Sequence, residues 1–270
     1  YVQEISTNSA YLKDDTKYPV VFEYAGQETA LVSITANEGE VIENDLIYGS
    51  VSGKKYDEDG NALGGALIGI FKAGMEEFTA ETAIQTTSTA ADGSFSFEKV
   101  PYGTWIIREI ESPTGFVLSD EEIPVTIDSV DEVVEVELVN EFITGSIELT
   151  KVDEDYPDNK LTGAVFEIYA DKNGDGKLDD GDELLGEMAE LGGGVYQMSD
   201  LRYGKYLVRE AKAPEGFLLD TNVYPVSIEE DGKIYTVENE AGVGFLNAAQ
   251  KGSLKIVKTS SDGKVEGFSF

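Results

Sequence analysis

Three residue types recur in a fixed order along this chain, and together they define a chemistry. Lys55, Glu109 and Asn140 form one set; Lys151, Glu210 and Asn247 form a second, about 100 residues further on. An amine, a carboxyl group and a carboxamide held in one apolar place can react with each other. Burial strips solvent from the ammonium, lowers its pKa and makes a neutral, nucleophilic amine accessible. The same burial raises a carboxyl pKa, so a protonated Glu can hydrogen-bond the amide oxygen and polarise its carbonyl. Attack of the amine on the amide carbon, with Glu109 or Glu210 shuttling protons, expels ammonia and leaves a Lys–Asn isopeptide bond. Proximity within the fold supplies most of the rate. Such a reaction is a single turnover that each domain performs on itself, and no turnover enzyme is expected in the chain. The competing account is structural: a Lys–Glu ion pair with an Asn hydrogen bond, or side chains reaching the rim of the core.

The elements that would position these groups are strands. Val51 and Lys55, Trp105, Ile107 and Glu109, and Val136, Leu138 and Asn140 alternate with a period of two, which places each set on one strand face. The second set repeats the pattern: Ile147, Leu149 and Lys151; Tyr206, Val208 and Glu210; Val243, Phe245 and Asn247. Asp92-Gly93 and Asp231-Gly232 read as hairpin turns between apolar runs. Residues 75–89 carry the weakest strand pattern and are expected to form a short helix or a long loop. Many short strands, turn signals and almost no helical periodicity indicate one β-sandwich per repeat.

Further repeats set the boundaries. Gly-Ser precedes Lys in Gly49-Ser50, Gly145-Ser146 and Gly252-Ser253, followed by Lys55, Lys151 and Lys258, and Asn44, Asn140 and Asn247 stand five residues before each Gly. Residues 45–140 and 141–247 are therefore two complete units. Residues 1–44, with Glu4 and Asn44, are expected to be the back half of a preceding unit, and residues 248–270, with Lys258, the front of a following one. Either both ends are halves of domains completed in a longer protein, or the Lys258 strand of one chain completes the Glu4–Asn44 half of another. The first residue, Tyr1, is not Met, which fits a piece of something longer.

Composition narrows the function further. The chain of 270 residues has no Cys and no His, which excludes disulfides, thiolate or imidazole metal sites and Ser-His-Asp catalysis. Its net charge of −33 repels nucleic acid and anionic membrane surfaces. No apolar run is long enough to insert in a membrane.

One acidic loop stands out in the second unit. Asp171, Asn173, Asp175, Lys177, Asp179 and Asp182 fall at positions 1, 3, 5, 7, 9 and 12 of an EF-hand spacing, with Gly176 at position 6. Calcium is the expected ion, Lys177 contributing its carbonyl, Asp179 acting through water, and Asp182 standing where Glu is usual. Carboxylates this close repel each other unless a cation is present.

These motifs carry a resemblance. The runs G-S-I-E-L-T-K from Gly145, L-T-G-A-V-F-E-I-Y from Leu161, Y-G-K-Y-L-V-R-E-A-K-A-P-E-G-F from Tyr203 and the closing F-L-N resemble the collagen-adhesin B-type (Cna-B), SpaA-like domains of Gram-positive surface proteins and pilins. The first unit matches with G-S-V-S-G-K-K, L-G-G-A-L-I-G-I-F and W-I-I-R-E-I-E-S-P-T-G-F. The resemblance implies an all-β chain of tandem prealbumin-like (inverse immunoglobulin) β-sandwich domains, with partial domains at both ends. It implies isopeptide bonds Lys55–Asn140 and Lys151–Asn247, promoted by Glu109 and Glu210. It further implies a stalk role at the cell-wall surface of a Gram-positive bacterium, with neighbouring domains of the same surface protein as partners. Gly53, Ser52 and Lys54 depart from the apolar pattern of the first strand, and no L-P-x-T-G anchoring signal is present. Two rival functions stay open: an adhesin module binding a host extracellular protein or glycan, and an accessory domain of a large secreted enzyme.

Overall fold

The computed structural model describes residues 1–238, 242–258, 261 and 263. The chain divides into two compact units, Tyr1–Phe142 and Ile143–Phe270, so the four segments marked by the repeats fall into two bodies.

In unit 1 the strands are β1 (Tyr48–Asp57), β2 (Leu67–Lys72), β3 (Gln85–Ser88), β4 (Ser94–Pro101), β5 (Gly103–Glu111), β6 (Ile123–Ile127) and β7 (Val133–Asn140). They form two sheets, β4-β1-β7 and β3-β2-β5-β6. Alternate side chains from both sheets, among them Val51, Phe97, Leu138, Ile68, Ile107 and Ile127, close one apolar core, as expected for a sandwich whose inner faces carry every second residue. The first and last strands, β1 and β7, run parallel side by side.

Unit 2 repeats this plan with β8 (Thr144–Asp153), β9 (Val165–Ala170), β10 (Glu183–Glu187), β11 (Ala189–Gly192), β12 (Val195–Arg202), β13 (Gly204–Lys212), β14 (Val223–Ile228), β15 (Lys233–Val237) and β16 (Phe245–Asn247). Its sheets are β10-β9-β13-β14 and β11-β12-β8-β15, with β16 also paired to β8. The strand that is continuous as β7 in unit 1 is here divided into β15 and β16, both parallel to β8.

Three local expectations are resolved. Of the two forms expected for residues 75–89 the loop is the one found, a run of turns and bends that leads into β3. Asp92-Gly93 and Asp231-Gly232 do reverse the chain, but β3 and β4, and likewise β14 and β15, lie in opposite sheets. Turn chemistry dictates the reversal; which sheet takes the next strand is set by the core. Gly53 is the third case. A Cβ there would lie 2.3 Å from the Phe95 ring and 2.8 Å from the Val136 carbonyl. Phe95 fills the core volume that an apolar side chain on β1 would have occupied, so the polar look of this strand does not leave a void.

Within residues 1–47 isolated bridges pair Val2 with Tyr18 and Tyr11 with Leu46, and the segment meets the sandwich at Tyr102, whose N–H donates to the Ile47 carbonyl at 2.9 Å and whose hydroxyl donates to Ser9 Oγ at 3.1 Å. No helix among the described residues is long and apolar enough to cross a membrane.

Candidate functional site

In unit 1, Lys55 projects from β1, Asn140 from the end of the adjacent β7, and Glu109 from β5 in the facing sheet. Register places Lys55 opposite Leu138 and Asp57 opposite Asn140. Lys55 and Asn140 are thus offset by two residues and share the inner face. All three are buried, Lys55 completely. Lys55 Nζ lies 3.3 Å from Glu109 Oε1, and Asn140 Nδ2 donates to Glu109 Oε1 and Oε2 at 3.0 and 2.9 Å. A third bond from Nδ2 reaches the Val117 carbonyl at 3.0 Å.

Unit 2 brings Lys151, Glu210 and Asn247 together in the same way, with Lys151 opposite Phe245 and Asp153 opposite Asn247. Lys151 Nζ lies 3.2 Å from Glu210 Oε1, and Asn247 Nδ2 donates to Oε1 and Oε2 at 3.0 and 3.1 Å. Here the amine also hydrogen-bonds the Asn247 Oδ1. Lys151 Nζ sits 4.2 Å from the Phe245 ring centre and 5.7 Å from that of Phe166.

The electrostatics follow from burial. Lys151 is pushed down to about 8, chiefly by desolvation, with Glu210 and then Asp220 pulling it back up. Lys55 is lowered for the same first reason, with Glu109 and then Glu121 opposing. Both lysines can therefore give up a proton more readily than an exposed lysine. In both units the carboxylate faces the amide nitrogen, not the amide oxygen that sequence reasoning assigned to it. The fold puts Glu where it can protonate a leaving nitrogen.

The remaining candidates are placed differently. Glu4 and Asn44 are hydrogen-bonded, Asn44 Nδ2 donating to both carboxylate oxygens at 2.9 Å and to Thr7 Oγ1 at 2.8 Å. Lys258 is in the other unit, exposed and outside any strand. In the acidic loop, the carboxylates are engaged by the loop's own backbone. Gly174 and Gly176 N–H donate to buried Asp171 at 2.7 and 3.0 Å, Lys177 N–H to Asp175, and Lys172 and Asp179 N–H to Asp182. Asn173 donates through Nδ2 to Asp179. Among the described residues no group of three or more acidic side chains is arranged to hold a metal ion. The donor chemistry suits a hard cation, but the side chains do not converge on one.

Sequence reasoning missed two kinds of residue. Asp57 and Asp153, each two positions after the lysine, are buried and accept backbone N–H bonds from the following turn. Their signal was available as Lys-x-Asp in both repeats. The backbone N–H groups of Ser119 and Asp220 donate to Glu109 Oε2 and Glu210 Oε2 at 3.0 and 2.8 Å; no side-chain pattern announces a main-chain donor.

With this geometry in view, the comparisons with known proteins are direct. Residues 49–141 and 145–241 each match the SpaA prealbumin-like fold domain. The chain belongs to this family. Asn140 lies inside the first matched segment, whereas Asn247 lies beyond the second. The structure of the Bacillus anthracis TIE protein is 24% identical over 76% of this chain and 35% of that one, with a TM-score of 0.63; the chain thus spans about a third of that structure. The minor pilin GBS52 of Streptococcus agalactiae is 18% identical over 78% of this chain and 100% of its own, with a TM-score of 0.34. No curated protein sequence matches the chain. The SpaA match, with the strand order above, makes both units prealbumin-like sandwiches.

Proposed function

We propose that the two SpaA domains are stalk modules of a Gram-positive cell-surface protein, each locked internally by a Lys–Asn isopeptide bond. The observation that carries this reading is the buried Lys–Glu–Asn trio, present twice with the same register and facing. A buried ion pair is a poor source of stability by itself, because desolvation offsets the attraction. Its repetition beside a carboxamide is accounted for by reaction.

The steps balance without a cofactor. The Lys ammonium passes a proton to Glu Oε1, leaving a neutral amine. The amine nitrogen attacks Asn Cγ, forming the new C–N bond. The carboxyl group protonates Nδ2, whose bond to Cγ breaks as ammonia leaves, and the attacking nitrogen returns its second proton to the carboxylate. Nothing is oxidised or reduced. The bond would join β1 to β7, and β8 to β16, the first and last strands of each domain. Force applied along the chain would then meet a covalent link and not a ladder of hydrogen bonds. The stalk role and surface location also draw support from the SpaA family, whose name is shared by pilins such as the shaft pilin SpaA of Lactobacillus rhamnosus GG.

Intact mass tests the cross-links. The expected mass is that of the sequence less two ammonias; the uncorrected mass would remove the proposal.

We further propose calcium binding at residues 171–182, supported by the oxygen donors at positions 1, 3, 5, 7, 9 and 12. The ion would stabilise unit 2 and leave unit 1 unchanged. Calorimetry in excess EDTA and in millimolar calcium checks this, and identical melting curves would make the loop an ordinary turn.

A further inference from the structure

We propose that the tenth residue after each glutamate is a positioning residue for the cross-linking reaction, and that Asp220 with Tyr224 makes the tighter version of this device. This deepens the isopeptide reading and rests on it. The observation is a division of labour between the two carboxylate oxygens. Oε1 of Glu109 and of Glu210 faces the lysine amine, and Oε2 accepts the backbone N–H of Ser119 or Asp220. A donor on Oε2 fixes the carboxylate rotamer and leaves Oε1 as the oxygen that takes the lysine proton.

A third copy separates this clamp from the lysine. The Asp14 N–H donates to Glu4 Oε2 at 2.7 Å, at the same ten-residue spacing, and Asn44 pairs with the same carboxylate. Among the described residues no lysine forms an ion pair with Glu4. The Glu–Asn pair and its clamp are therefore built by the back half of the fold alone, before any amine enters.

The clamp depends on how firmly its loop is held. In unit 2, Asp220 Oδ1 accepts from Asn222 N–H at 2.9 Å, and Asp220 Oδ2 accepts from Tyr224 OH at 2.6 Å. The loop at Asp14 has the same lock, with Thr16 N–H and Tyr18 OH as donors. In unit 1 the equivalent residue is Ser119, whose Oγ accepts from Glu121 N–H at 3.3 Å, and Ile123 stands at the tyrosine position. A looser loop lets the carboxylate wander, and small misplacements are costly for an intramolecular reaction.

The test uses the full chain carrying Lys55→Met, so that ammonia loss reports unit 2 only. Protein recovered unfolded is refolded and sampled over time by intact mass. Asp220→Asn and Asp220→Ala both remove the negative charge that acts on Lys151, but only Asn keeps an oxygen for the Asn222 N–H, together with an Nδ2 that can donate to the Tyr224 hydroxyl in place of accepting from it. Asp220→Asn is expected to react within about twofold of the Lys55→Met parent, and Asp220→Ala roughly tenfold slower than Asp220→Asn. Tyr224→Phe, which removes one hydroxyl, is expected to slow the reaction about threefold, and it carries the test if Asp220→Ala does not fold. Equal rates for Asp220→Ala and Asp220→Asn with a lowered melting temperature for Ala would make the role purely structural and overturn the proposal. Absence of ammonia loss in the Lys55→Met parent would instead remove the cross-link reading, and this proposal with it. In the Lys151→Met background, Ser119→Asp with Ile123→Tyr is expected to accelerate unit 1; no acceleration would also count against the lock.

Discussion

Unit 1 and unit 2 bury the same three side chains in the same strand register, yet the amine hydrogen-bonds the amide in unit 2 and not in unit 1. Lys151 reaches Asn247 Oδ1. Lys55 Nζ and Asn140 Oδ1 are both buried and have no hydrogen-bond partner among the described residues, although Lys55 is within ion-pair distance of Glu109. The walls differ too. Lys151 lies over Phe245 and against Phe166, where unit 1 has Leu138 and Ile68 at the matching register positions. Aromatic faces hold a cation in place; aliphatic walls only exclude water. A trio can therefore be equivalent in order and facing while its reactive atoms are held with different tightness. Unsatisfied buried polar atoms are unfavourable, so unit 1 has the more to gain from replacing its amine and amide by a bond.

The largest effect that would break this comparison is removal of the carboxylate. Glu109→Gln is expected to abolish ammonia loss in unit 1 only, and Glu210→Gln in unit 2 only. Closing the 96 residues from Lys151 to Asn247, or the slightly shorter loop in unit 1, is worth roughly 4–5 kcal/mol if treated as other permanent cross-links are. Each variant should lower the stability of its own unit by about that much in denaturant titration. Loss of both bonds from either single substitution would show that the units are not independent.

A smaller effect distinguishes the two central strands. Gly53→Ala forces a Cβ into the Phe95 ring and the Val136 carbonyl, and overpacking of this kind costs about 1–3 kcal/mol. The matching position in unit 2, Leu149, already carries a buried side chain, so Leu149→Ile should be tolerated at less than about 1.5 kcal/mol. Thermal melts of the two variants check the contrast.

The smallest effect is one of pH. The neutral amine and protonated Glu210 arise from the ion pair by transfer within it, so the reactive form holds the same protons as the ion pair and its share does not depend on pH while the pair keeps that proton. Lys151 is pushed down to about 8 in the unreacted fold, so the rate of ammonia loss from unit 2 should be flat below about 8 and fall above it as the pair loses the proton that Nδ2 must receive. Asp220 and Glu210 both raise the lysine, so Asp220→Asn should move the fall to lower pH. A refolding time course at several pH values reads this, and a rate that climbs with pH up to about 8 would mean that solvent, and not Glu210, takes the lysine proton.

Much of the site was legible in one dimension. Residue type and period-two facing are local properties, so the placement of Lys55, Glu109 and Asn140 on inner faces could be read directly, as could their repetition in unit 2. The absence of His and Cys narrowed the chemistry before any coordinate was known. The SpaA family's resemblance runs through the same residues, and the prealbumin-like fold follows from it.

Other features depend on pairing between distant residues, and no local pattern encodes those. The Asp92-Gly93 turn could be seen, but not that it carries the chain from one sheet to the other. Gly53 looked like a weakness in β1 until Phe95 of β4 filled its place. The N–H of Ser119 and Asp220 meets a glutamate because two strands and a loop converge, and every residue has such a donor. Whether an amine touches its amide depends on shifts far smaller than a residue. Side-chain order and strand parity determined which groups would meet in this protein; the long-range packing of the two sheets decided how closely.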